Sequence, residues 1–161
     1  MSSNQKIKTR LATIEDKAFI LSLIPRLTEF NLPIWRDSSQ MIAVDTEVLI
    51  NKLINQPADT TIFIAEDEEG QSLGFIHLQS GSDYYNKEEH GHISDIIIAP
   101  EAEGRGIGRI LIERAEEWAH TKGYRSLSLS VFTQNQRARE VYKRMGFGED
   151  IIKYVKMLEH K

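Results

Sequence analysis

A glycine-rich loop between a predicted strand and a predicted helix is the segment best suited to chemistry. It consists, in order, of Glu103, Gly104, Arg105, Gly106, Ile107, Gly108 and Arg109. Glycines at alternate positions let the backbone approach a ligand closely and turn several N–H groups the same way. The helix that follows adds unpaired N–H groups and the positive end of its dipole. The segment predicts a phosphate-binding loop, although a turn that only connects strand to helix would have the same composition.

Two common phosphate-binding motifs do not fit this loop. A Rossmann fingerprint needs Gly-x-Gly-x-x-Gly, and counting from Gly104 the sixth position is Arg109. A Walker loop ends in Gly-Lys followed by Ser or Thr, and the sequence has no such ending here. The loop therefore has to be interpreted from the elements around it.

The periodicity of apolar residues predicts helices first and then a hairpin followed by two strand–helix–strand units. Thr13 caps a first helix that Pro25 interrupts. The predicted elements are a strand over 7–11, the capped helix, a loop over 31–43, a helix over 45–55, strands over 60–66, 72–79 and 90–99, a helix over 106–122, a strand over 127–131, a helix over 135–145 and a final strand over 151–158. This order predicts an α+β fold, that is, a layered arrangement with a mixed sheet flanked by helices.

Length and composition narrow the class of protein. The chain has 161 residues and a net charge of −4, which fits one domain over residues 1–161 and argues against binding nucleic acid through its phosphates. Because there is no Cys, disulfides, cysteine–zinc sites and a cysteine nucleophile are excluded. No apolar run is long enough to span a bilayer, so we expect a cytoplasmic protein without a membrane partner.

Three segments in this order resemble the GNAT superfamily of N-acetyltransferases. Residues 95–100, Asp-Ile-Ile-Ile-Ala-Pro, are similar to the family's strand that enters its loop, and residues 103–108 to its Gln/Arg-x-x-Gly-x-Gly/Ala motif. Residues 135–147, with Asn135, Tyr142 and a closing Gly-Phe, are similar to its next signature. The resemblance implies a mostly antiparallel sheet of about six or seven strands with about four helices, and acetyl-CoA as the co-substrate.

The resemblance also implies roles for particular residues. The loop over 103–109 would hold the CoA pyrophosphate, and Asn135 would contact CoA. The backbone of Ile96, Ile97 and Ile98 would pair with the pantetheine arm and supply a donor to the oxyanion. Glu103 departs from the family pattern, because Gln or Arg is usual there. A carboxylate beside phosphates is unfavourable unless it points to solvent or pairs with Arg105 or Arg109.

Tyr142 falls at the family's general-acid position, where it would protonate the departing CoA thiolate. Its spacing with Ala138, Val141 and Met145 also fits a tyrosine that packs in the core. Asn135 could likewise be a plain helix cap, and the two roles are compatible.

Acetylation of an amine also needs the neutral amine. An amine with a pKa of about 10.4 is neutral in about one molecule in 2,500 at pH 7, so supplying it is worth roughly 4–5 kcal/mol. His92 lies four residues before Ile96, where histone-modifying relatives have a glutamate base, and its ordinary pKa of about 6.5 suits the role. Water relayed from elsewhere is the alternative base. His90 and His92 lack a third ligand at a diagnostic spacing, so no metal is expected.

The acceptor pocket is weakly marked in the sequence. Phe30, Trp35, His77 and Tyr84 lie on elements that line the acceptor side in relatives, with core packing as the simpler explanation for Phe30 and Trp35. We expect an N-acetyltransferase that acts by direct transfer to a primary amine of a small molecule or peptide. The alternative is a non-catalytic module that binds acyl-CoA or a partner protein. A longer acyl donor, and a homodimer through the edge of the final strand, are both compatible with the sequence.

Overall fold

The computed structural model describes residues 6–159. These residues form five strands, which make one sheet, and four α-helices. Along the chain the order is strand, two helices, three strands, helix, strand and helix. Three short 3-10 turns connect them, at Ile14–Asp16, Ile24–Thr28 and Pro100–Ala102. The elements are β1 (Lys8–Leu11), α1 (Lys17–Leu23), α2 (Ser38–Asn55), β2 (Thr60–Glu66), β3 (Ser72–Ser82), β4 (Glu89–Ile98), α3 (Ile107–Thr121), β5 (Leu127–Leu129) and α4 (Gln136–Arg144). This confirms the predicted class.

The sheet has the strand order β1-β2-β3-β4-β5. The first four strands are antiparallel neighbours, and β5 runs parallel to β4. A parallel neighbour requires a crossover connection, which α3 provides between β4 and β5. The sheet is therefore mixed and mostly antiparallel, as predicted.

The predicted count of six or seven strands and the final strand over 151–158 are wrong for the described residues. The segment 151–159 forms no strand, and Ile151 and Leu158 are each 79% exposed. Alternating apolar residues make such a segment suited to a sheet, but a strand also needs an adjacent edge with which to pair. The sequence pattern carried no information about that edge.

The helices differ from prediction mainly at the start of α2. This helix begins at Ser38, within the predicted loop over 31–43, because the Asp37 carboxylate accepts a hydrogen bond of 2.9 Å from the backbone N–H of Gln40. The predicted break at Pro25 is confirmed, since α1 ends at Leu23 and a 3-10 turn follows. None of the described helices is long and apolar enough to cross a membrane.

The core lies on both faces of the sheet. Helix α3 covers one face, where the Arg114 guanidinium lies 4.2 Å from the centre of the Phe63 ring. The alternate residues Ile62 and Ile64 point to the other face and are also buried. The buried cluster that contains them also includes Ile20 of α1 and Leu49 and Leu53 of α2. The polar residues of β4 described below lie on this second face.

Candidate active site

The glycine-rich loop lies directly before α3 and has an open surface. Gly104 and Gly106 have φ angles of +79° and +78°, a backbone conformation that strains any other residue. A Cβ at either position, or at Gly108, would meet no described atom within 4 Å. Gly106 is the N-cap of α3 and supplies no side-chain cap, so the first N–H groups of the helix need another acceptor. The loop can therefore receive a phosphate.

The side chains of the loop divide between core and solvent. Ile107 is 2% exposed and packs in the core, so it can contact a ligand only through its backbone. The Arg109 side chain is 75% exposed, with its Nε 3.9 Å from a Glu113 carboxylate oxygen. Arg105 is also exposed.

Glu103 is paired, and its pairing brings distant elements to the loop. Its carboxylate accepts a hydrogen bond from Arg26 Nη2 and lies 3.8 Å from Arg137 Nη2. The hydrogen bond from Arg26 holds the pKa of Glu103 below its usual range. Arg26 comes from the 3-10 turn after α1, and Arg137 from α4. The sequence had suggested only Arg105 or Arg109 as partners, because contacts across the fold have no local signal.

Strand β4 has two halves, separated by an irregularity at Ser94. Asp95 pairs with His77 of β3 and Ile93 with Leu78, so Ser94 has no partner residue on β3. Strand β5 pairs only with residues 91–93. The residues after the irregularity, including Ile96, Ile97 and Ile98, therefore have an edge without a strand partner in the described sheet. A ligand with amide groups can pair with such an edge as an extra strand does.

His92 lies in the first half of β4 and contacts β5. Its Nδ1 is 2.8 Å from the Ser128 hydroxyl, which also lies 3.5 Å from the Gly91 carbonyl and 3.4 Å from His90 Nδ1. Burial, and secondarily His90, lower the pKa of His92 below its ordinary value. The imidazole is therefore neutral at pH 7 and able to accept a proton. The sequence did not identify Ser128, because only the β4–β5 register places it opposite His92.

A second histidine, His77, is paired with Asp95 on the same face. Its Nδ1 donates to an Asp95 carboxylate oxygen at 3.0 Å, and no described residue bonds its buried Nε2. His77 was expected on the acceptor side, but its side chain is buried, with only 1% exposed. Asp45 of α2 is close enough to Asp95 that, together with burial as the larger cause, it has a raised pKa.

Tyr142 and Asn135 lie on and before α4. The Tyr142 ring packs edge-on against Phe147 with centroids 5.9 Å apart, and burial raises its pKa. A raised pKa keeps the phenol protonated at neutral pH, as a proton donor requires. The Asn135 side chain accepts a hydrogen bond from the Ala138 N–H at 3.3 Å, so the predicted capping role is confirmed.

The remaining predicted acceptor residues are spread over the surface. Phe30 is half-buried and packs on Phe132 with ring centroids 5.5 Å apart. Trp35 is 41% exposed, so the core packing considered for it is wrong. Tyr84 is 78% exposed in the turn between β3 and β4, at the far end of β4 from the glycine loop. Within residues 6–159, no three His, Cys, Asp or Glu side chains are arranged to hold a metal ion.

Comparison with known sequences identifies the family to which the chain is similar. A sequence model described as the acetyltransferase (GNAT) family matches residues 24–147. The chain is 28% identical over 141 residues to the uncharacterized N-acetyltransferase YhfO of Bacillus subtilis, covering 88% of this chain and 89% of that protein. The chain is also 35% identical to a streptothricin acetyltransferase of Streptomyces lavendulae, over 92 residues that make up 57% of this chain.

Some of these matches are partial. The chain covers 47% of the streptothricin acetyltransferase and 39% of the uncharacterized N-acetyltransferase MJ1207 of Methanocaldococcus jannaschii.

Among solved structures, the aminoglycoside N-acetyltransferase AAC(6')-Iy in complex with CoA aligns with a TM-score of 0.70 at 21% identity. That alignment covers 98% of this chain and 99% of the other, and it shows that the two share a fold.

Proposed function

Because the chain belongs to the acetyltransferase (GNAT) family, we propose that it transfers an acetyl group from acetyl-CoA directly to a primary amine. The observation that carries the proposal is the open glycine-rich loop at the start of α3, next to the half of β4 that β5 does not pair with. The loop fits the CoA pyrophosphate, since its N–H groups and helix dipole favour an anion. The β4 edge fits the amide groups of the pantetheine arm.

In the proposed reaction, donor and amine bind together and no acyl-enzyme forms. The neutral amine attacks the thioester carbonyl, and a backbone N–H among Ile96–Ile98 stabilises the resulting oxyanion. The C–S bond then breaks, the amide forms, and Tyr142 donates a proton to the CoA thiolate. The proton lost by the amine goes to His92.

The base role of His92 rests on its protonation state and its fixed ring. If the Ser128 hydroxyl donates to the Gly91 carbonyl, its oxygen is free to accept from His92 Nδ1–H. The other ring nitrogen, Nε2, then has a lone pair available for the amine proton. A relayed water remains the alternative base, and the experiments below distinguish the two.

For the acceptor, we propose a small molecule that carries positive charge on groups other than the reacting amine. Asp45 and Asp95 place two carboxylates on the face of the sheet that holds His92. Carboxylates favour a ligand with additional positive charge. Streptothricin and aminoglycosides are named as substrates of two similar proteins, and the proposal extends that substrate class to this chain.

Calorimetric titration with acetyl-CoA and with CoA tests the donor site first. Micromolar binding is expected, and an amine panel should then release free thiol with the polycationic amines. Absence of binding at millimolar ligand would contradict the proposal. Binding without thiol release from any amine would instead favour the non-catalytic module. A single domain over residues 1–161 and a homodimer stay predictions.

A further inference from the structure

Glu103 poses a problem in electrostatics, because a carboxylate occupies the first position of a loop that should bind two phosphates. A free carboxylate there would repel the pyrophosphate, and its removal would tighten binding. The structure gives this carboxylate two cationic neighbours, Arg26 and Arg137. The effect of Glu103 on the ligand therefore depends on what it does to those two side chains.

Arg26 is held on three sides. Its Nη1 donates to the Ile98 carbonyl at 2.7 Å, its Nη2 donates to Glu103, and its Nε lies 3.4 Å from Glu29. The side chain is 19% exposed. With three of its five N–H donors engaged and its side chain mostly buried, Arg26 connects the end of β4 to the loop.

Arg137 differs from Arg26 in being mostly free. Its side chain is 80% exposed, and its Nη2 lies 3.8 Å from the second Glu103 oxygen. A guanidinium has five N–H donors, so a single loose contact leaves most of them for an anion. Since Glu103 is in the loop, this contact places a cation of α4 beside the loop.

We propose that Glu103 is a positioning residue for CoA, which uses Arg26 as its fixed support and holds Arg137 toward the phosphates of the ligand. This inference rests on the proposed function, because it assumes that the loop binds CoA. It assigns to Arg137 a phosphate contact in the CoA site, and to Arg26 the support of the loop against β4. The negative charge of Glu103 is compensated within the network by these two arginines.

The experiment measures CoA affinity by calorimetry for the wild type and for Glu103→Gln, with Glu101→Gln as the matched control. Glu101 is exposed two residues earlier, so its variant removes the same charge without touching the network. Glu103→Gln is expected to weaken CoA binding about 3–10-fold, whereas Glu101→Gln should change it less than about 2-fold. Arg137→Gln should weaken binding to a similar extent as Glu103→Gln.

A double variant isolates the network from general electrostatics. In an Arg26→Met background, Glu103→Gln should cause no further loss, because the support is already absent. Unfolding midpoints of all variants identify any general loss of stability. If the wild type binds CoA and Glu103→Gln binds as tightly or more tightly, the inference is overturned and the proposed function stands. If the wild type binds no CoA, both fall together.

Discussion

The two halves of strand β4 contribute to the site in different ways. After Ser94, the isoleucines at 96–98 and the glycine loop beyond them offer backbone groups, and the side chain of Ile97 is buried in the core. Before Ser94, the role proposed for His92 depends on its side chain, and its partner Ser128 belongs to another strand. In the proposed site, the half after Ser94 therefore contributes backbone groups and the half before it contributes side-chain groups.

This difference determines how each half should respond to substitution. The half of β4 after Ser94 and the glycine loop, which we call the donor half, contribute backbone groups that survive most side-chain changes. Only a substitution that alters the backbone conformation or fills the open space should therefore weaken CoA binding there. In the other half a single removed atom can change a protonation state or a hydrogen bond. Substitutions can therefore test the two halves separately.

The largest effect is expected for Gly106→Val. Its φ of +78° strains any branched residue, and the new side chain would enter the open space proposed for the pyrophosphate. Loss of two or three charge-assisted hydrogen bonds, at roughly 1.5–3 kcal/mol each, predicts CoA affinity lower by about 100-fold or more in calorimetry. The variant should still fold.

Gly70→Val is the matched control for that variant. Gly70 has a φ of +79° in the β2–β3 turn and also has no described atom near its Cβ position. It should lose similar stability while binding CoA normally. Equal affinity losses at both glycines would show that strain, rather than the ligand site, explains the result.

Tyr142→Phe tests the side chain proposed to protonate the CoA thiolate, a proton that no backbone group can supply. Without the phenol the thiolate leaves unprotonated, and kcat is expected to fall about 10–1,000-fold with acetyl-CoA affinity little changed. Steady-state kinetics and calorimetry measure the two quantities. Tyr154→Phe, an exposed tyrosine at 89%, is the control. An unaltered kcat for Tyr142→Phe would remove this residue from the mechanism.

His92→Gln carries the comparison to the other half. Its kcat is expected to fall about 10–100-fold, since water can replace part of a base. Because the pKa of His92 is lowered, the wild-type rate should rise with pH through a value below about 6.5, as the imidazole loses its proton. The variant should lose that limb and the exposed His120→Gln should keep it. Persistence of the limb in His92→Gln would favour the water relay.

Ser128→Ala gives a smaller effect in the same half. It removes the partner of His92 Nδ1 without removing the base, so we expect kcat to fall about 3–10-fold. The acid limb should move along the pH axis rather than disappear. Ser126→Ala, at an exposed residue immediately before β5, serves as the control. An unchanged profile would show that Ser128 does not orient the ring.

The same division explains what could be predicted from the sequence. The donor half follows from local patterns: glycines that need positive φ, a helix start and a strand that ends in proline. The contacts of Ser128, Asp45 and Arg26 depend on pairing between distant segments, which local patterns do not encode. The prediction of a strand over 151–158 was wrong for the same reason, because the apolar alternation is present but local patterns do not specify a strand with which it could pair.

Asp45→Asn is expected to give the smallest kinetic effect, and it should stabilise the fold at neutral pH although it weakens activity. Burial and Asp95 raise the pKa of Asp45, so the folded state holds this proton more tightly than the unfolded chain does. Stability is therefore lost as pH rises from the ordinary carboxyl value through the raised one. At pH 7 the asparagine should raise Tm, and below about pH 3.9 the difference should vanish.

The same substitution should weaken the acceptor site, because it removes a charge that favours a cationic amine. KM for a polyamine is expected to rise about 2–5-fold, with KM for acetyl-CoA unchanged. Glu47→Gln, exposed on the same helix, should leave both the Tm and the KM values near those of the wild type. A gain in Tm without any change in KM would mean that Asp45 does not face the acceptor. A gain in Tm with a rise in KM would mean that the fold keeps a destabilising carboxylate because the acceptor needs it.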